Sequence, residues 1–428
     1  MSEFKRHRLA DLYEISSGIS TTKDQAGHGA PFVAFKDIYN NYFIPERLTE
    51  LMDTTPEQQE KFSVREGDVF LTRTSETLDE LAMSSVALQD HPNATFSGFA
   101  KRLRPRDPSN PDPRFMGFFL RSEYFRRIIN SVTTMTTRAS FNEAIFSHVE
   151  VDLPDLDSQV QIGDLLYSIE QQIELNNQVN DNLQAMLQTL YGYWFLQFNF
   201  PDENGRPYRA SGGRMVWNSQ LKREIPAGWR VASLVSNPLC EPLKPGVAPF
   251  SEKTYLATAD VVGTTIKDGS RIRYETREGR ANMEPVLHSV WFAKMKGSVK
   301  HLFLNEACAS LISETILSTG FVGLKCEPVA FEYIASFIAS EQFEPLKDLH
   351  AHGATQQAVN NTDLENILLP IPDAETLRRF SQLASSTLSR FNASIVENKR
   401  LQELRDWLLP MLMNGQATVA SLDKLSFI

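Results

Sequence analysis

The sequence predicts an α+β protein: two globular, mixed α/β domains in pseudo-twofold tandem, separated by two long antiparallel coiled-coil helices. Three observations predict it. The chain repeats short strings in the same order at a nearly constant offset. Each half closes on a long run of apolar residues spaced by three and four. The stretches before those runs mix short β-like segments with turns.

The repeat is read from five matches. Arg8-Leu9-Ala10-Asp11-Leu12 returns as Arg230-Val231-Ala232-Ser233-Leu234, an offset of 222. Ala34-Phe35-Lys36-Asp37-Ile38 returns as Ala257-Thr258-Ala259-Asp260-Val261, an offset of 223. Val69-Phe70-Leu71-Thr72-Arg73 returns as Val290-Trp291-Phe292-Ala293-Lys294 at 221, and Ala139-Ser140-Phe141-Asn142 as Ala354-Thr355-Gln356-Gln357 at 215. Leu153-Pro154 then matches Leu369-Pro370. Solenoid units run to about 50 residues, so this period is a domain plus a helix. Two similar modules in one chain suit a two-part target.

The first module spans residues 1–150, with strand-like Pro31-Phe32-Val33-Ala34-Phe35 and Asp68-Val69-Phe70-Leu71. Residues 151–200 form the first long helix. Ser158-Gln159-Val160-Gln161 reads as its capping box, a hydroxyl with an amide three residues on. Ile162, Leu166, Ile169, Ile173, Asn176, Asn180, Leu183, Leu187, Leu190 and Trp194 then make a seam. A seam this long and narrow favours a coiled coil over an ordinary amphipathic helix, and about 40 residues give a rod of roughly 60 Å. Asparagine inside it costs stability and fixes register and partner.

Residues 201–217 read as a linker, since Pro201 to Gly213 is rich in Gly, Pro, Asp and Arg. The second module spans 218–368, with Val290-Trp291-Phe292 as a strand, and 369–415 is the second long helix. Asp373 is its cap, and its stripe includes Leu377, Phe380, Ala384, Phe391, Ile395, Asn398, Leu401, Leu404, Leu408 and Leu412. Asn414-Gly415 stops it, and 416–428 is a tail. Asn180-x-x-Leu183-x-x-Met186 parallels Asn398-x-x-Leu401-x-x-Leu404, so the two helices are expected to pack against each other, antiparallel if a twofold relates the halves.

Composition excludes several classes. Hydrophobic content of 42% and charged content of 22% are those of an ordinary globular chain. No apolar run approaches the roughly 20 residues of a membrane span, and residues 1–10 are not a secretory signal, so no membrane partner is expected. Cys240, Cys308 and Cys326 lack metal-ligand spacing and fit a reducing cytoplasm. The net charge of −10 looks wrong for a nucleic-acid binder, but residues 151–200 hold seven acidic residues and no Lys or Arg. The two modules are near neutral, and each can present a basic face. The acidic helix is expected to face protein or solvent.

Four segments carry the candidate DNA contacts. Arg73, Thr74 and Ser75 pack hydroxyls beside an arginine, as do Arg138, Ser140 and Asn142. In the second module Lys294, Lys296 and Lys300 make a basic loop, and Thr355, Gln356 and Gln357 follow a glycine turn. Arginine suits guanine edges and Asn or Gln adenine edges, while lysine and hydroxyls serve phosphates. Each segment taken singly also reads as a solvated loop. Their recurrence at matching places favours binding.

No catalytic constellation is legible. The chain has no G-x-x-x-x-G-K-[ST] loop and no Asp/Asn-Pro-Pro-aromatic string. Pro372-Asp373 with Glu397-Asn398-Lys399 imitates a nuclease motif, yet its parts lie on one helix, too far apart to share a metal. His350 and His352 lack a third ligand nearby. Tyr191-Gly192-Tyr193-Trp194-Phe195 reads as packing before base stacking. The chain is therefore expected to bind no metal or cofactor and to be no enzyme.

The residues resemble the specificity subunit of type I DNA restriction-modification systems. Gly67-Asp68-Val69-Phe70-Leu71-Thr72-Arg73 is similar to the G-D-hydrophobic run of its target recognition domains. Ile225-Pro226-Ala227-Gly228-Trp229 resembles the lead-in to the second domain, and Glu174-Leu175-Asn176-Asn177 the E-L-N segment of the central helix. Leu404-Arg405-Asp406-Trp407-Leu408-Leu409-Pro410 resembles the L-R-D-x-L-L-P of the last. Leu153-Pro154-Asp155-Leu156 departs from the family where a second proline often stands.

The resemblance implies that each domain reads half of a bipartite double-stranded DNA site and that the helices act as ruler and docking surface. Ile169, Ile173, Asn176, Asn180, Leu183, Leu187, Asn398, Leu401, Leu404 and Leu408 are the residues expected there. It implies as partners two modification (methyltransferase) subunits that bring S-adenosylmethionine to adenine, and restriction (translocase/nuclease) subunits that bring ATP and Mg. The competing class is a coiled-coil scaffold or adaptor in a multi-subunit defence assembly, without base readout.

Overall fold

In the computed structural model, residues 4–75, 80–132, 139–267, 269–354 and 356–419 are described. The chain divides into two compact units, residues 1–171 with 402–428, and residues 172–401. Each therefore contains one globular domain and a stretch of both long helices.

A clasp closes each domain. In the first unit Lys5–Arg8 pairs antiparallel with Glu150–Leu153, so the domain's two ends leave side by side. In the second, Arg230–Ser233 pairs with Leu368–Ile371 in the same way. The registers correct the repeat. Leu9 donates to the Val149 carbonyl and Leu234 to that of Ile367, which makes Leu9 equivalent to Leu234 and Val149 to Ile367. The offsets at the domain edges are thus 225 and 218 rather than 222 and 216, and Leu153-Pro154 matches Ile371-Pro372, not Leu369-Pro370.

Among the described residues, each domain has two larger sheets besides its two-stranded ones. The first domain orders Tyr13–Ser17, Ala100–Pro105, Val69–Thr72 and Ser84–Val86 in an antiparallel sheet. The second orders Cys240–Pro242, Phe321–Cys326, Ser289–Ala293 and His301–Leu304 likewise. The companion sheet is mixed: Ala26–Val33 runs parallel to Thr95–Phe96, and Lys253–Leu256 to Thr315–Ser318. The second domain adds Ala281–Met283 at its edge. The central strands Val69–Thr72 and Ser289–Ala293 are buried on both faces, which is why they read as nearly continuous apolar runs.

The match at offset 223 holds at atomic level. The Asp37 carboxylate accepts from the Ala34 N–H (2.9 Å), and that of Asp260 from Ala257 (2.7 Å). Ile38 and Val261, one residue on, are fully buried. Phe35, read as strand, instead opens the helical turn Phe35–Asn40.

The first long helix runs Leu156–Tyr191 and continues as a wider turn to Leu196. It does not start on Ser158. Asp155 caps it, accepting from the Ser158 N–H at 2.8 Å, as Asp373 caps the second helix (Ala374–Met413) by accepting from Thr376 at 2.9 Å. A carboxylate serves that end because it meets both free N–H groups and the helix dipole. Burial works against the charge of Asp373, but the Thr376 amide and hydroxyl and the Trp229 indole hold its pKa below the usual range. Gly415 at φ +73° ends the second helix.

The seam is buried at Ile162, Leu166, Ile169, Ile173, Asn176, Asn180, Leu187 and Trp194, and half-buried at Leu183 and Leu190. In the second unit Asn176 contacts Asn398 and Trp194 contacts Phe380, which makes the helices antiparallel. In the first unit Arg405 reaches Glu170 at 2.9 Å in the same sense. The aromatic string packs as expected: Phe195 lies among Tyr333, Phe380 and Trp229. No helix among the described residues is long and apolar enough to cross a membrane.

Buried asparagines fix the register. The Asn176 amide donates to Asn398 (2.9 Å), and the Asn398 amide donates to Asn177 (2.9 Å). Asn398→Ala removes both, leaving the Asn176 amide only Glu397 at 3.2 Å and the half-buried Asn177 oxygen without this donor, so we expect it to lower stability by about 1–2 kcal/mol. Urea unfolding of the variant beside wild type measures this; equal midpoints would show that these bonds do not hold the register.

Candidate nucleic-acid interface

The candidate residues lie where each central strand leaves its sheet. Arg73 follows Val69–Thr72, and its N–H donates to the Phe99 carbonyl at 2.8 Å. Its own carbonyl accepts from the Phe141 N–H at 2.8 Å. Thr74–Ser75 then pairs with Ala139–Ser140. In the second domain Lys294 donates to the Gly320 carbonyl (2.9 Å) and accepts from Val359 (3.0 Å), and Lys296 donates to Gln357 (2.9 Å). Segments that the sequence presents as separate loops thus form one short ladder in each domain. Arg73 and Lys294 are equivalent by these bonds.

The ladder also corrects one match. Asn142 caps the helix Glu143–His148, accepting from the Ile145 N–H at 3.0 Å. Its counterpart is Asn360, which caps Asn361–Leu364 by accepting from Asp363 at 3.0 Å, and not Gln357. The side-chain oxygen of Asn142 is therefore committed to the helix, and only its amide remains to address a base. By the same 218 offset Gln356 corresponds to Arg138.

The side chains differ in what they offer. Arg73, Lys296, Gln356 and Gln357 are exposed, and Thr74 and Ser140 are half-buried. Lys294 is half-buried, and burial lowers its ammonium pKa. Lys300 donates to the Thr258 carbonyl, which makes it a local anchor. Arg138, Thr355 and the side chain of Ser75 lie outside the described residues.

Sequence reasoning missed the support beneath the second ladder. Lys347 is buried and ion-paired with Glu344 at 2.6 Å. It also donates to the carbonyls of Ala293 and Ser298, both at 3.2 Å, so it holds the basic turn from inside. His301 meets the same carboxylate at 2.8 Å. Burial opposes the charge on Glu344, but these two partners keep its pKa below the usual range. The Gly297 N–H caps the turn onto Asp348 at 3.0 Å. The available signal was Glu344 and Lys347 at helical i,i+3 spacing, a pair that also reads as an ordinary surface ion pair. The first domain's missed residue is Lys101, buried with its ammonium on Ser17 at 2.8 Å and Glu143 at 3.7 Å.

Two residues of the nuclease-like string serve the fold. Asp373 caps a helix and Asn398 sits in the seam. His352 faces Asp363 at 3.4 Å, and no cluster of three metal-binding side chains occurs among the described residues.

The profile of the type I restriction modification DNA specificity domain matches residues 1–185. The type I restriction enzyme HindI specificity subunit of Haemophilus influenzae is 22% identical, over 97% of this chain and 100% of that one. The MjaIX specificity subunit of Methanocaldococcus jannaschii is 22% identical, over 97% of this chain and 94% of its own length. The type I restriction-modification S subunit from M. genitalium shares the fold, with a TM-score of 0.54 at 11% identity and 96% of each chain covered. These likenesses, which together span nearly the whole chain, support a specificity subunit of a type I restriction-modification system.

The helical residues of this chain divide into two groups. Ile169, Ile173, Asn176, Asn180, Leu187, Asn398 and Leu408 are buried in the seam, and Leu183 and Leu401 are half-buried there. Leu404 is not a seam residue: it is 43% exposed. Arg405 takes the inward place, 14% exposed, with its guanidinium on Glu170 and over the Tyr42 ring at 5.1 Å. Met186, equivalent to Leu404, is likewise exposed.

Proposed function

We propose that the chain is a specificity subunit that reads a bipartite double-stranded DNA site in the cytoplasm, one half-site per recognition domain, and docks two modification subunits through the outer faces of its long helices. The observation that carries this reading is the ladder that recurs in both domains, headed by Arg73 in one and Lys294 in the other. A base-reading element built twice on the same scaffold suits two half-sites. Arg73, Lys294 and Lys296 would position phosphates; Gln356 and Gln357 have the amides that suit adenine. The exposed Met186, Leu404 and Trp407 support docking, since large apolar side chains on an outer helical face are contact surface for a partner. In this reading the chain is not itself a catalyst. The modification subunits bring S-adenosylmethionine and methylate adenine, and restriction subunits add ATP- and Mg-dependent translocation and cleavage.

The test is a domain exchange. Residues 1–153 should be replaced as a block by those of a relative, because the clasp ends at Leu153 and a cut inside it would split a strand pair. The hybrid complex, presented with a randomised duplex library, is expected to enrich a new sequence at one half-site and the old one at the other. Altered preference at both halves in a folded hybrid would refute the assignment of one domain to one half.

A further inference from the structure

We propose that Phe99 is a base-contacting residue of the first recognition domain, the apolar half of a reading pair whose cationic half is Arg73. The inference rests on the reading that this domain binds DNA.

Phe99 is 70% exposed, yet its backbone is held tightly. Gly98 donates to the Ile19 carbonyl at 2.8 Å, Phe99 donates to the Ser97 hydroxyl at 3.2 Å, and the Phe99 carbonyl accepts from Arg73 at 2.8 Å. A Cβ at Gly98 would sit 2.9 Å from the Ile19 carbonyl oxygen, so the turn admits little else there. A large ring on a fixed turn loses little freedom when it makes a contact, which is the property of an anchor.

The ring and the guanidinium project together. The register pairs Thr72 with Ala100, so Arg73 stands opposite Phe99 one step further along. Residues opposite one another in an antiparallel pair share a face, with Cβ atoms roughly 5 Å apart. Arg73 is exposed as well. A phosphate would satisfy the arginine but offers nothing to a phenyl ring. A base does: the thymine methyl in the major groove, or the face of an unstacked base. The shared chemistry is the apolar surface of a base beside a phosphate or a guanine edge.

The second domain lacks this device. Gly320 holds the place of Phe99, accepting from Lys294 at 2.9 Å, and a Cβ there would meet the Thr258 side chain at 2.8 Å. The effect of Phe99 is therefore one-sided.

The experiment uses the full chain in complex with its modification subunits and a randomised duplex library. Wild type, Phe99→Ala, Phe99→Tyr and Arg73→Ala are compared. Phe99→Ala is expected to keep one half-site and to lose preference at one or two positions of the other, with the wild-type site bound roughly 5- to 100-fold more weakly. Phe99→Tyr should retain the preference. The thermal midpoint of Phe99→Ala should not move, since the ring is exposed. Duplexes with uracil for thymine at the affected position separate the sources: weakening of wild type alone identifies the methyl group, and weakening only by an abasic position identifies a base face. If Phe99→Ala enriches the same sequences with the same affinity, or sheds a modification subunit while its base preference stays intact, the proposal is overturned. A wild-type complex that enriches no sequence would overturn the recognition reading along with it, so the two failures are distinct.

Discussion

Asp68→Ala is expected to cost the first recognition domain about 3–5 kcal/mol, a large part of a domain's stability, and to leave the second domain unchanged. Asp68 is fully buried at the head of the central strand. Arg104 grips both its oxygens, at 2.7 and 2.6 Å, and the Arg65 N–H donates to it at 2.8 Å. Removing the carboxylate leaves a guanidinium, only 23% exposed, without its counter-charge. Breaking one side of a buried pair costs more than the pair contributes, because the survivor stays desolvated. The equivalent position in the second domain is neutral. There Ser289 accepts from the buried Trp291 indole at 2.8 Å, and Ser289→Ala, which strands a neutral donor and no charge, should cost less, about 1–3 kcal/mol.

Denaturant unfolding followed separately in each domain measures the contrast. Asp68→Ala should move only the first domain's transition and abolish selection at one half-site. A wild-type transition in that variant would show that the pair contributes nothing. The Gly67-Asp68 string resembles a recognition motif, but the geometry makes Asp68 a structural residue, which holds the strand that delivers Arg73.

The architecture is legible in the sequence because its signals are periodic and local. A three-and-four spacing over ten positions leaves little choice for the first helix, and Asp373 stands one residue before its own helix. Sequence reasoning fails where the answer lies in distant partners. Arg8 and Arg230 share a following apolar pattern, so they align by eye, yet the clasp register shifts the match by three. Nothing local shows that Thr74 pairs with Ser140 across 66 positions of chain. A search for apolar residues selects Leu404 and passes over Arg405, whose stem packs inward and whose charge finds Glu170. Reading Asn142 as a base contact overlooks the helix that begins one residue later and takes its oxygen.

A matched insertion of seven residues in both long helices, after Asn177 in the first and after Val396 in the second, is expected to widen the preferred gap between half-sites by about three base pairs. Seven residues lengthen a helix by about 10 Å, and base pairs stack roughly 3.4 Å apart. Seven also returns the apolar stripe to the same face with only about 20° of drift, so the seam beyond the insertion stays aligned. The positions face each other: Asn176 donates to Asn398, and Asn177, the next residue, accepts from it. An insertion in the first helix alone would displace half of the seam against its partner, pull Asn176 from Asn398 and bury unpaired amides. That single variant should lose stability and select no new gap. The double variant should unfold near the wild-type midpoint and enrich the same two half-sites, set further apart. If it is folded, docks its modification subunits and still selects the wild-type gap, the helices do not measure the site, and the spacing must come from the DNA or from the modification subunits.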